Sequence, residues 1–198
     1  FILEGLNFET APTPLMQVQP GEPFALKVTS QAVTRATGEK LESAPVVKVY
    51  DKWGNAITNH TALTITMGVT PNSGPDAGQL LFKDANGQEI VDGNKLTITD
   101  GVVQFTNAIL IGKPGVGYAF TFEVQAPTSI TSAASDKAYV SPAEPARIAL
   151  TTSIIGGITG KTLEQQPVLT VYDGYGNIAT NAGNICITAN ATTYTVLR

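Results

Sequence analysis

The chain has one cysteine, one histidine and one tryptophan in 198 residues. A single thiol, Cys186, rules out an internal disulfide and leaves the redox compartment unread. One histidine, His60, and one cysteine cannot supply the three or four nitrogen and sulfur ligands that zinc takes. Nothing like Gly-x-Ser-x-Gly accompanies His60, so no nucleophile and base pair can be assembled and the chain reads as a non-enzyme. Charge is also sparse: Asp, Glu, Lys and Arg make up 14%, the net charge is −4 and the pI is near 4.9. With no basic cluster to meet a phosphate backbone, nucleic acid is set aside as a partner. Apolar runs are short, Ile109-Leu110-Ile111 being cut at once by Gly112-Lys113-Pro114-Gly115. None approaches the ~20 residues that span a bilayer, so membrane insertion is not expected. Long amphipathic helical patterns are missing as well. Phe1 opens the sequence without a Met or the pattern of a signal peptide, which suggests a processed chain or a piece of a longer one.

What is present is a duplication. Val49-Tyr50-Asp51-Lys52-Trp53-Gly54-Asn55 returns as Val171-Tyr172-Asp173-Gly174-Tyr175-Gly176-Asn177, an offset of 122 residues (173 − 51). Aligned without a gap, Thr37 to Asn59 and Thr159 to Asn181 agree at 13 of 23 positions, too many for a chance motif. The same offset pairs Val18-Gln19-Pro20-Gly21-Glu22-Pro23 with Val140-Ser141-Pro142-Ala143-Glu144-Pro145, so the junction is repeated along with the interior. The expected organisation is residues 1–22 as the end of a preceding unit, 23–144 as a complete unit and 145–198 as part of a second copy. The prolines of each Pro-x-Glu-Pro junction fix their own φ and extend the residue before them, making a short stiff hinge.

The rest of the pattern is pleated. Val, Ile, Thr, Tyr and Phe dominate the apolar runs, as suits half-buried strands. Phe24, Leu26 and Val28 alternate with polar neighbours, as do Leu63, Ile65 and Met67, and Tyr118, Phe120, Phe122 and Val124 give the cleanest period of two. Further strands are expected at Val46 to Tyr50, Leu80 to Phe82 and Ala138 to Val140, with a long loop over Gly68 to Gly78. Asp100-Gly101 between Leu96-Thr97-Ile98 and Val103-Gln104-Phe105 predicts a hairpin, since both turn residues tolerate positive φ. Asp51 with Gly54, and Asp173 with Gly176, predict turns in which the carboxylate holds local backbone donors and the glycine takes positive φ. About eight short strands at roughly 10-residue spacing make an all-β sandwich.

Val-x-Val-Tyr-Asp-x-Trp/Tyr-Gly-Asn, the turn at Asp100-Gly101-Val102 and the Gly117-Tyr118-x-Phe120 run together resemble the immunoglobulin-like repeats of bacterial surface proteins of the invasin and intimin type. They are also similar to filamin-type repeats. The resemblance implies tandem immunoglobulin-like β-sandwiches in an extracellular or cell-surface protein, a stalk, adhesin or appendage. It would make Tyr118 a tyrosine-corner clamp on the backbone. A unit of 122 residues exceeds the usual ~100, the excess falling in Gly68 to Gly78 and Gln79 to Ile90.

Candidate sites are few. Trp53 and Asn55, with their counterparts Tyr175 and Asn177, form turn tips where an aromatic beside an amide suits a sugar ring. An aromatic kept at one turn position in both copies is more simply a lid on the end of a sandwich. Asn59 and Asn190 head Asn-x-Thr sequons and are glycan acceptors only on a eukaryotic secretory route. Calcium is the one cofactor to weigh, because oxygen ligands abound. Asp84-x-Asn86-x-Gln88 opens like an EF-hand loop, but Glu89 replaces the required Gly and Lys95 the bidentate Glu, so no metal site is assigned. Asp51 and Asp173 are read as turn caps. Cys186 sits where Thr64 does, its thiol expected outward if Ile185 and Ile187 point in.

The role that follows is a structural segment, spacer or assembly unit of an extracellular filament or surface protein, its partners being neighbouring units of the same or adjacent chains. Half a sandwich after Pro145 leaves strand edges unpaired. Either the polypeptide continues, or residues Phe1 to Val18 of one molecule complete the second unit of the next in a homopolymer. The alternative role is an adhesion module whose loop tips bind a surface glycan or protein.

Overall fold

A computed structural model describes residues 16–58, 63–124, 130–188 and 190. They form antiparallel sheets without a helix among them, and no described helix is long and apolar enough to cross a membrane. One layer holds β1 (Ala25–Ser30), β2 (Val46–Tyr50) and β6 (Val102–Gln104), with β2 central. The other holds β3 (Thr64–Thr70), β5 (Lys95–Thr97), β8 (Ala119–Val124) and β9 (Ala133–Ala134), in the order β5-β3-β8-β9. A side pair, β4 (Gln79–Phe82) with β7 (Ala108–Ile111), adds Phe82 and Leu110 to the interior. Beyond the junction, β10 (Pro145–Thr152) pairs only with β11 (Val168–Asp173).

The arrangement is sandwich-like because alternation puts one row of each layer inside. Leu26, Val47, Val49 and Val103 face Ile65, Met67, Phe120 and Phe122 in a single apolar cluster. Phe105 links the layers, its ring 5.8 Å from that of Phe122 and 6.4 Å from that of Phe82. Each such side chain contributes about 1.5–3 kcal/mol by leaving water. Every member of the cluster lies between Leu26 and Val140, so this body encloses its own interior. β1 laces the layers together: Phe24 N–H donates to Tyr50 O, and Leu26 N–H to Thr131 O.

Tyr118 is wholly buried, and its hydroxyl clamps two loops by accepting from Lys113 N–H (2.8 Å) and donating to Asp76 O (3.1 Å). The Lys113 ammonium bonds the Asp76 carboxylate across the same loops at 2.9 Å, which raises its pKa above the usual lysine value.

Several expectations are corrected. Asp100 and Gly101 both take positive φ (52° and 71°) and close a two-residue hairpin turn, Thr99 and Val102 each donating N–H to the other's carbonyl, but the pairing stops at that rung: β5 joins β3 and β6 joins β2. Past that rung the chain parts into the two layers, with Ile98, Val103 and Phe105 all buried in the interior. Gly101 is required there for a second reason, since a Cβ would strike the Ile57 carbonyl. Gly68, Val69 and Thr70 belong to β3, held by pairing with Thr121, Phe120 and Ala119, so the loop begins only at Pro71. Ala138 makes a single bridge to Tyr118 in place of a strand, although Val140 is buried. Phe24 is half exposed. Most of Phe1 to Val18, His60 and the sequon at Asn59 lie outside the described residues, as do the residues after Asn190.

Candidate functional site: two aspartate turns that hold the linkers

Asp51 and Asp173 end β2 and β11, where each chain must reverse while its last strand residue is still covered. The two residues are 3% and 1% exposed, an unusual depth for Asp. Such burial is tolerable only if the oxygens are bonded. In the first turn Oδ1 accepts from Trp53 N–H (2.9 Å) and Asn55 N–H (2.8 Å). Oδ2 accepts from the Asn55 amide (3.0 Å) and from Gly21 N–H (3.0 Å), thirty residues earlier in the linker. In the second turn Oδ1 takes Tyr175 N–H (2.9 Å) and Asn177 N–H (2.8 Å), and Oδ2 takes the Asn177 amide (3.0 Å) and Ala143 N–H (3.1 Å). The correspondence is bond for bond.

The backbone frame corresponds too. Asp51 N–H donates to Asn55 O and Asp173 N–H to Asn177 O, while Gly54 and Gly176 take φ of 87° and 88°. No L side chain sits easily at that φ, which is why both turns need glycine there. Burial pushes each carboxyl up, but the hydrogen bonds to the ionised form outweigh it. Asp51 is held at about 2, chiefly by Gly21 N–H and the Asn55 amide, against a usual 3.8. Asp173 is likewise lowered, by Asn177 and then Ala143. Each carboxylate thus takes four N–H donors, three from backbone and one from an asparagine amide. Among the described residues, no three His, Cys, Asp or Glu side chains gather where they could hold a metal ion.

No family model matches the chain, and no curated protein matches it.

The four residues singled out as binding tips are thus divided. Asn55 and Asn177 spend their amides on the aspartates, and the Asn177 amide also makes a long 3.5 Å contact to Gly112 O. Tyr175 packs onto Gly38, where an added Cβ would meet its ring and hydroxyl. Trp53 corrects the lid expectation: it is 69% exposed and lies over Gly21 of the linker, with the Lys52 ammonium 4.2 Å from its ring. It covers the junction and not the interior. Asn190 is exposed, and Cys186 is exposed with a free thiol. Ile185 and Ile187 are 41% and 48% exposed and lie outside any described strand, so the inward facing on which the outward thiol was conditioned is not found.

Sequence reasoning missed the residues that receive Tyr175. Thr37 is buried, its hydroxyl accepting from Gly112 N–H (2.9 Å), and Gly38 N–H donates to Leu110 O (3.0 Å). Ser141 of the linker closes the same end by accepting from Thr37 N–H (2.9 Å). The signal was available, since Thr37-Gly38 returns as Thr159-Gly160 in a polar stretch where nothing in the interior demands it.

Proposed function

We propose that the chain is a stretch of tandem immunoglobulin-like β-sandwich units, of the kind its motifs resemble, from an extracellular surface or filament protein. In this reading 23–144 is a complete unit and 145–198 belongs to a second copy. Its work is mechanical, to hold what lies beyond it at a fixed distance and angle. The observation that carries the reading is the aspartate clasp: a carboxylate at the end of a strand grips the linker ahead of its own unit, with the same four bonds 122 residues apart. A hinge built from Pro-x-Glu-Pro and tied at its middle residue bends less than a free one. Two further contacts stiffen the second junction, the Asn181 amide donating to Pro142 O and Ala143 O at 3.3 Å each.

The test is the width of the angle distribution across the second linker. With nitroxides at Asn86→Cys and Thr180→Cys in a Cys186→Ser background, the parent should give one narrow distance distribution. Asp173→Ala should broaden it. A parent distribution as broad as that of the variant refutes the spacer reading. The competing reading, a glycan-binding tip, is supported by Trp53 alone, the one aromatic of the two turns left largely uncovered.

A further inference from the structure

Trp53 and Tyr175 occupy the same position on the same carboxylate frame, yet their rings take different places. Tyr175 reaches forward onto Gly38, and Asn177 beside it points its amide at the Gly112 carbonyl. The receiving glycine is doubly specified. Its φ is 81°, in the left-handed region, and the space a side chain would fill is taken by the Tyr175 ring. Trp53 instead folds back, and a Cβ at Gly21 would lie 2.7 Å from its Cζ3. The linker residue equivalent to Gly21 is Ala143, which carries the methyl group that Gly21 lacks.

The chain thus holds one filled pair, Tyr175 on Gly38, and one half of a pair, Trp53. It also holds the other half. Gly160, counterpart of Gly38, has the same left-handed φ of 77° and nothing within 4 Å of where its Cβ would be. We infer that Trp53 is a docking residue for the Thr37-Gly38 and Gly112 end of another copy of this unit, the two joining head to tail as an aromatic seated on a glycine. The inference rests on the tandem-unit reading and deepens it by naming the partner and the contact. The occupant is argued from within the molecule: Tyr175 and Asn177 already make this contact, and the Asp51 turn presents Trp53 and Asn55 in the same frame. An indole offers more apolar area than the phenol it replaces. Release from Gly21 is a side-chain rotation, not a refolding.

The experiment is a chain lengthened by one unit, residues 1–139 followed directly by 18–198, which sets a complete Gly38 and Gly112 end just ahead of the Gly21 linker. A short linker keeps the two halves at an effective concentration of roughly millimolar. With Trp53 of the first copy changed to Phe, one tryptophan reports. Docking should take it from 69% exposure toward the 49% of Tyr175, lowering acrylamide quenching by about a third relative to the 198-residue chain and shifting emission to the blue. Gly38→Asn in the first copy, which tolerates the backbone conformation but fills the seat, should restore both values. Quenching and emission equal to those of the 198-residue chain overturn the inference. So does protection of Trp53 by an oligosaccharide panel without protection in the lengthened chain, which would make the tip a glycan site. Small-angle scattering on the same sample separates the two failures: a stiff rod with an unprotected tryptophan sinks the docking contact alone, whereas a freely bending chain sinks the spacer reading.

Discussion

Residues 25–50 and 147–172 carry matching strands, yet their apolar faces fare differently. Leu26 is 4% exposed and Val47 is fully buried, whereas their counterparts Ile148 and Leu169 are 45% and 42% exposed. The pairing within each sheet is the same, β1 with β2 and β10 with β11, down to a register shift in the second half of each first strand. What differs is the opposite layer, since β3 and β8 cover only the first pair. Local sequence is therefore enough to form the ladder and the aspartate turn, while burial needs partners distant in sequence. Ile185 and Ile187 make the same point. They match Leu63 and Ile65, but Ile65 is in a strand because β8 and β5 flank it, and without such flanks the same pattern stays uncommitted.

The sharpest way to break the comparison is to truncate matched residues. Ile65→Ala should cost about 2–5 kcal/mol in urea unfolding because it opens a cavity in the apolar cluster between the layers, and Ile187→Ala should stay within about 0.5 kcal/mol. Equal costs would mean that the second face is covered after all. Next in size is Tyr118→Phe, which strands Lys113 N–H and Asp76 O together and should cost about 1–3 kcal/mol by thermal or urea unfolding. An unchanged midpoint would show that the clamp is idle.

The two turns should respond alike to acid. Both carboxyls are lowered in the folded protein, that of Asp51 to about 2, so their contribution is complete above the usual 3.8 and is lost as the pH falls below that value through the folded-state ones. Melting temperature should therefore drop between pH 4 and pH 2, and Asp51→Asn, which removes the ionisation, should flatten part of that slope. A slope unchanged in Asp51→Asn and Asp173→Asn alike would detach the clasp from stability. The smallest effect is expected of Gly21→Ala, which copies the second linker into the first. Stability should scarcely move, but the Trp53 emission should change as the ring is driven off the linker.

Much of this was legible in the residues. The strands around Val47, Ile65 and Phe120 and the positive-φ glycines follow from alternation and turn chemistry, which act over a few residues, whereas the backbone-binding hydroxyl of Tyr118 was only implied by the resemblance to a tyrosine corner. Less legible was anything that depends on which sheet a strand joins. Asp100-Gly101 makes the hairpin turn that its chemistry announces, but a single rung follows before β5 and β6 part into different layers, which the turn residues do not announce. The linker contacts of Asp51 and Asp173 were beyond reach for the same reason, as the turn residues announce a cap but not that the fourth donor comes from thirty positions upstream. The seat at Gly38 was hidden differently, in a glycine whose use appears only once Tyr175 is in place.

The bond from Gly21 to Asp51 also sets the route that tension would take through the molecule. A pull on the chain ahead of residue 21 reaches the end of β2, the middle strand of its layer, before it can peel β1 from the edge. Load delivered to a central strand is shared by the ladders on both its sides and strains them in shear, whereas an edge strand would unzip one rung at a time.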